Sequence, residues 1–170
     1  MVVFQSERID FVPVSEALVD DYLLMMNDPE VQHMIAHAPR AYSREGELRW
    51  IRENLASGVP IFSMIERASG RFIGNLDLRD IRDGAATMGI TLTPAMQDRG
   101  LGTEAIRRFV RYAFEDRGLD AVELNVYAHN PRAKHVYEKV GFRVTHVTEG
   151  EITDIHMRLE KAEFYKSSLA

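Results

Sequence analysis

The sequence contains no cysteine. A disulfide scaffold, cysteine-ligated zinc and a cysteine nucleophile are therefore excluded, and any acyl transfer must proceed without an acyl-cysteine. No apolar run approaches the ~20 residues that span a bilayer. Met1 to Glu7 lack a basic segment followed by a long apolar stretch, so no signal peptide is expected and the cytoplasm is the expected compartment. Positive charge is in short supply. Lys and Arg number 21 against 26 Asp and Glu, a formal net charge of −5. Neither nucleic acid nor a membrane is an expected partner, although a local basic pocket for a phosphorylated ligand remains open. The six histidines, at 33, 37, 129, 135, 146 and 156, show no metal-ligand spacing, and no metal is expected. What is present suits one domain of ordinary size: 170 residues, 45% hydrophobic, with no repeat or linker.

Periodicity divides the chain into a β-rich first part and an α/β second part. Arg8 to Val14 alternates and reads as an edge strand with Pro13 near its end. Ser15 then caps a helix carrying Leu18, Tyr22, Met25 and Met26, which Asp28-Pro29 ends. A second helix runs from Ser43 to a stop at Gly58. Strands follow at 61–66, 72–78 and 87–92. Leu101, Ala105, Ile106, Phe109, Val110, Ala113 and Phe114 recur at helical spacing. Residues 121–127 alternate as a strand. Asn130-Pro131 is a helix cap followed by proline at the first helical position, and that helix stops at Gly141. Strands at 142–147 and 152–159 complete an α+β domain with a mixed sheet, and 161–170 read as a loosely held tail.

The strand 87–92, the loop 93–99 and the helix from Gly100 form a strand–loop–helix unit. A helix start offers unpaired N–H groups and partial positive charge, which suits a phosphate. Gly100 and Gly102 would let a bulky anion approach the backbone, and Arg99 would add a formal charge beside it. The glycines alone fit equally well a tight connection that binds nothing. A P-loop fits poorly because Gly102-Thr103-Glu104 supplies no lysine. A dinucleotide fingerprint fits poorly because Ala105 stands where its third glycine would fall.

Two motifs together resemble the GNAT superfamily of acetyl-CoA-dependent N-acetyltransferases. The first is Gln97-Asp98-Arg99-Gly100-Leu101-Gly102, continuing into Thr103. The second is Asn130, Ala133, Tyr137, Gly141 and Phe142 at the family's spacing. Asn-Pro-Arg-Ala and the last strands are similar to the RimJ/RimL branch, which acetylates ribosomal proteins and small amines. The resemblance implies a single domain with a sheet of about seven strands and flanking helices. Its fourth and fifth strands, 87–92 and 121–127, would splay around acetyl-CoA. It implies further that Gly89, Ile90, Thr91 and Leu92 line the pantetheine arm. Residues 97–103 would hold the pyrophosphate, Asn130 and Ala133 would meet the pantetheine, and Tyr137 would sit near the thioester sulfur. The acceptor would be a primary amine, a protein N-terminus or a small molecule, attacked directly without an acyl-enzyme. A non-catalytic CoA-binding module of the same fold is the alternative, and a homodimer is a possibility that relatives suggest.

Seven residues separate Asn130 from Tyr137, about two turns at ~3.6 residues per turn, so both point from one helix face. Tyr137 can then supply a hydrogen bond or a proton as charge develops on sulfur. The base is less legible. Relatives carry Ala-Glu-x-Gly-Tyr where this chain has Ala86-Thr87-Met88-Gly89-Ile90, so Asp77 is the substitute candidate. The acceptor is expected near Met25, Met26, His33, Met34, His37, Trp50 and the turn Glu149-Gly150-Glu151.

Overall fold

The structure, a computed structural model, describes residues 1–167. Eight strands appear among them: β1 (Phe4–Gln5), β2 (Ile9–Pro13), β3 (Ile61–Glu66), β4 (Phe72–Arg82), β5 (Ala85–Leu92), β6 (Ala121–Tyr127), β7 (Arg143–Thr148) and β8 (Asp154–Glu160). Six α-helices accompany them: α1 (Val19–Met26), α2 (Pro29–Ile35), α3 (Arg44–Ser57), α4 (Leu101–Glu115), α5 (Pro131–Val140) and α6 (Lys161–Ser167). The strands form one mixed sheet in the order β1-β2-β3-β4-β5-β6-β8-β7. This is the α+β domain expected, with eight strands where about seven were anticipated.

Two compact units interleave along the chain. The first comprises Met1–Asp77 and Ile90–Leu101, the second Leu78–Gly89 and the described residues from Gly102 onward.

In the first unit, Val14, Val19, Tyr22, Met25, Val31, Ile51 and Phe72 form a core, with Trp50 packed against it. Met25 is 1% exposed and belongs to this core. It is therefore not part of an open acceptor face, because the apolar side of so short a helix must be buried. Strand β2 is not an edge: Phe4 pairs with Phe11 and Gln5 with Asp10, so the two-residue β1 lies outside it. Such a strand is too short to show a period of two. Asp28-Pro29 does end α1, but it also opens α2. The Asp28 carboxylate accepts from the N–H groups of Glu30 and Val31, and Pro29 takes the first helical position.

In the second unit, β5 pairs with β6 in parallel over Ala85–Thr87 against Ala121–Glu123. Strand β6 pairs with β8 along its whole length, and β8 with β7. The stripe read on α4 is the buried face of that helix. Ala105, Ile106, Phe109, Val110, Ala113 and Phe114 are each at most 2% exposed. Each buried Phe, Ile or Val contributes about 1.5–3 kcal/mol. The expected loose tail is instead helix α6 through Ser167. Phe164 is buried against the Phe114 ring, and the Tyr165 hydroxyl donates to Glu115 at 2.8 Å. One buried aromatic in seven residues leaves no periodic trace, so the helix is invisible to pattern reading. Positions 168–170 of that tail lie outside the described residues.

Candidate active site

The loop between β5 and α4 belongs to the first unit up to Leu101. Strand β4 comes very close to the end of β5. A Cβ on Gly74 would stand 2.0 Å from the Thr91 carbonyl oxygen, and the Thr93 N–H donates to the Ile73 carbonyl at 2.9 Å. Only glycine permits that approach. Ile90, Thr91 and Leu92 thus reach the loop on a fixed backbone. A 3₁₀ turn, Pro94–Met96, buries Met96, and the Gln97 side chain donates back to the Leu92 carbonyl at 3.1 Å.

Asp98 and Gly100 then take left-handed conformations, φ 57° and 74°, on either side of Arg99. Alternation of this kind turns successive N–H groups toward one side and makes an anion-binding concavity. Leu101, 1% exposed, anchors the helix that follows, whose first-turn N–H groups lack intrahelical partners.

Arg99 is differently engaged from the sequence expectation. Its guanidinium donates to Glu66 at 2.7 Å and to the Met96 sulfur at 2.9 Å. The Glu66 side chain is 10% exposed. The Ser69 hydroxyl, together with Arg99, holds its carboxyl below the usual carboxylate range. The cation is thus paired with a buried acid, and the loop's contribution at this residue is mainly its backbone.

The first unit also carries a buried polar chain on β4. Ser63 and Asn75 are directly paired across β3 and β4. The Ser15 N–H donates to the Tyr22 hydroxyl at 3.1 Å, Tyr22 and Ser63 hydroxyls are 2.6 Å apart, and Ser63 donates to Asn75 Oδ1 at 2.7 Å. Because Ser63 spends its proton on Asn75, Tyr22 must donate to Ser63. That direction satisfies every hydroxyl and leaves the Asn75 amide N–H groups for another acceptor. Asp77, the expected base, is half-buried on the same strand, paired with Ile61 and two residues from Asn75. Residues at that spacing share a sheet face.

Sequence reasoning missed Glu47. It lies in the first turn of α3, 7% exposed, and its carboxylate makes no hydrogen bond or ion pair among the described residues. Burial pushes its pKa up, and Arg40 offsets this only in part. Trp50, one turn along the same helix, meets Tyr22 edge-on at 6.0 Å. An acid three residues before a tryptophan looks like any helix surface in one dimension.

The second unit holds the remaining candidates. Gly89 is half-buried in β5, and Gly102 and Thr103 are half-buried in the first turn of α4. Where the resemblance led an acid to be expected, Thr87 pairs with Glu123 and Met88 is buried, 3% exposed. Asn130 caps α5, accepting the Ala133 N–H at 3.2 Å. Its carbonyl oxygen is thereby occupied and its amide N–H groups are the part left for a ligand. Tyr137 is 8% exposed, with Phe142 edge-on at 6.0 Å. Its hydroxyl makes no hydrogen bond among the described residues, and burial pushes its pKa up to about 12. A neutral phenol is thus held with its proton uncommitted. Gly141, at φ 118°, ends α5 beneath it. No group of histidine and carboxylate side chains able to hold a metal occurs among the described residues, and no described helix is long and apolar enough to cross a membrane.

Residues 8–143 match a family model described as an acetyltransferase (GNAT) domain, and the chain belongs to that family. It is 31% identical to spermidine N(1)-acetyltransferase of Vibrio cholerae over 93 residues, 54% of this chain and 51% of that protein. It is 28% identical to FsC-acetyl coenzyme A-N(2)-transacetylase of Aspergillus fumigatus over 155 residues, 84% of this chain and 64% of that protein. The chain thus spans between half and two thirds of the length of these curated relatives. The crystal structure of spermidine N-acetyltransferase from Vibrio cholerae in complex with CoA and spermine superposes with a TM-score of 0.85. That match covers 94% of this chain and 99% of the other at 17% identity, a likeness of fold.

Proposed function

We propose that this chain is an acetyl-CoA-dependent N-acetyltransferase that passes an acetyl group to a primary amine by direct attack, with no acyl-enzyme. The observation that carries the reading is the loop Gln97–Leu101. Its left-handed residues at Asp98 and Gly100 and the helix start that follows suit a diphosphate, and it lies within the stretch that matches the family model. In this reading Gln97, Asp98, Arg99, Gly100, Leu101, Gly102 and Thr103 hold the diphosphate, chiefly through main-chain N–H groups. Gly89 to Leu92 offer strand backbone to the pantetheine amides. Asn130 adds its amide N–H, and Ala133 keeps the start of α5 slim.

Bound there, acetyl-CoA supplies a thioester whose carbonyl accepts the amine and whose sulfur leaves with the bonding pair. Asp77 takes the ammonium proton, directly or through water. A main-chain N–H of β5 meets the negative charge on the carbonyl oxygen. Tyr137 donates a hydrogen bond to the sulfur as its charge grows. With a pKa of about 12 against ~8.5 for a thiol, full transfer of its proton is uphill by about 5 kcal/mol. Tyr137 therefore keeps its proton, and the second proton shed by the attacking nitrogen, carried through water, completes the thiol.

The acceptor we propose is a small cationic amine. The names of the bacterial relative and of the similar structure support this. So does Glu47, a carboxylate beside Tyr22 whose burial Arg40 offsets only in part and which makes no hydrogen bond or ion pair among the described residues. Such a group is costly to bury unless a cation joins it. The finer likeness to the RimJ/RimL branch, with a protein N-terminus as acceptor, is carried by Asn130-Pro131-Arg132-Ala133 and the last strands. A homodimer belongs to the same proposal: β7 ends the sheet with all six residues exposed, an edge open to a second copy.

Thiol release from acetyl-CoA over a panel of polyamines, monoamines and peptides with free N-termini tests the reading. Polyamines are expected to turn over fastest. Tight CoA binding without turnover on any amine would leave the non-catalytic alternative, which the missing acid at Thr87-Met88 favours.

A further inference from the structure

Arg8 immediately precedes β2, and its backbone is pinned. Its carbonyl oxygen accepts from the Arg67 N–H at 2.8 Å, and the Arg67 guanidinium donates to the carbonyls of Ser6 at 3.2 Å and Glu7 at 3.1 Å. From there the Arg8 side chain reaches the candidate cofactor loop. Its Nη1 donates to the Arg99 carbonyl oxygen at 2.9 Å. Its Nη2 stands 3.3 Å from the place a Cβ on Gly100 would occupy.

The neighbouring strand supplies a second hold. Ile9 pairs with Glu66, and Glu66 takes the Arg99 guanidinium at 2.7 Å. Arg8, just before β2, and Glu66, at the end of β3, therefore grip one loop residue at two points, its carbonyl and its side chain. The consequence follows from peptide geometry. In a trans peptide the C=O and the next N–H point in opposite directions. Tying the Arg99 carbonyl to Arg8 aims the Gly100 N–H the other way, into the set of N–H groups that the left-handed residues gather. Gly100 then has two reasons to be glycine: its φ of 74° and the room it leaves for the Arg8 guanidinium.

We propose that Arg8 is a positioning residue for diphosphate binding, holding the peptide between Arg99 and Gly100 in its anion-binding orientation and adding positive charge at the rim. This rests on the reading of loop 97–102 as the cofactor's phosphate site. The test is calorimetric binding of coenzyme A and of pantetheine, which lacks the diphosphate, to the wild-type chain and to Arg8→Gln, with thermal unfolding measured alongside. Arg8→Gln is expected to bind coenzyme A about tenfold more weakly, as for a lost charged hydrogen bond at an exposed site, and pantetheine unchanged. Unchanged affinity for coenzyme A, or an equal loss for both ligands, would overturn the proposal. A wild-type chain that binds coenzyme A no better than pantetheine would instead overturn the phosphate-loop reading itself. Should Arg8→Gln fail to fold, Arg8→Met is read by the same two affinities.

Discussion

Replacing Tyr137 by Phe removes one oxygen and nothing else from a residue that is 8% exposed and packed against Phe142. The hydroxyl has no hydrogen-bond partner among the described residues, so no protein contact is lost with it. Deleting an unsatisfied hydroxyl is neutral or stabilising, by up to about 1 kcal/mol. In a chain of this size that raises Tm by no more than ~4 °C. The catalytic expectation has the opposite sign. A donor aimed at charge that grows only during reaction contributes about 2.7 kcal/mol, so kcat should fall about 100-fold. Affinity for coenzyme A should change less than about threefold, because the ligand's neutral thiol gains little from the same hydroxyl. The assay is thiol release at saturating acetyl-CoA, with binding and unfolding measured on the same preparation. The wild-type pH profile adds a check: with a pKa of about 12, Tyr137 introduces no limb below about pH 11. An unchanged kcat would remove Tyr137 from the mechanism. A parallel fall in kcat, affinity and Tm would show that the hydroxyl matters only to packing.

Three further outcomes are expected. Gly102→Val puts a branched side chain into the first turn of α4, so coenzyme A should bind about tenfold more weakly, and equal affinity by calorimetry would put the phosphates elsewhere. Glu47→Gln removes a buried charge, so KM for a polyamine should rise about tenfold while KM for acetyl-CoA and Tm hold or improve; an unchanged polyamine KM would free Glu47 from the acceptor site. Burial raises the Tyr137 pKa from about 10 unfolded to about 12 folded, so the folded chain holds a proton that the unfolded chain sheds. Stability should therefore be intact below pH 10 and fall from there through about pH 12. Tyr137→Phe should lose less over that window, and identical Tm-against-pH curves would contradict the buried phenol.

Legibility of the fold followed the length of its periods. Helix α4 repeats its apolar spacing over four turns, and α5 is bracketed by Asn130-Pro131 and Gly141, so both were visible in one dimension. Helix α6 and strand β1 were not, because seven residues and two residues are too few to establish a period. Helix α2 was half visible: Asp28-Pro29 serves both as the end of one helix and as the cap of the next, and only the second role shows in the hydrogen bonds. The site divided in the same way. Gly100, Gly102, Asn130 and Tyr137 sit within short spacings that local geometry explains. Arg8, Glu66, Gly74 and the Tyr22–Ser63–Asn75 chain act on partners 12 to 91 residues away. No local pattern encodes those pairings; strand register creates them. The expected role of Arg99 changed for that reason. Its charge looked available beside two glycines, and Glu66 arrives from β3 to take it.

A structure of the chain with coenzyme A tests the central claim most directly. The account predicts the diphosphate within hydrogen-bond distance of main-chain N–H groups of residues 98–102, with Arg8 still holding the Arg99 carbonyl. A diphosphate held anywhere else, with that loop left bare, would contradict it.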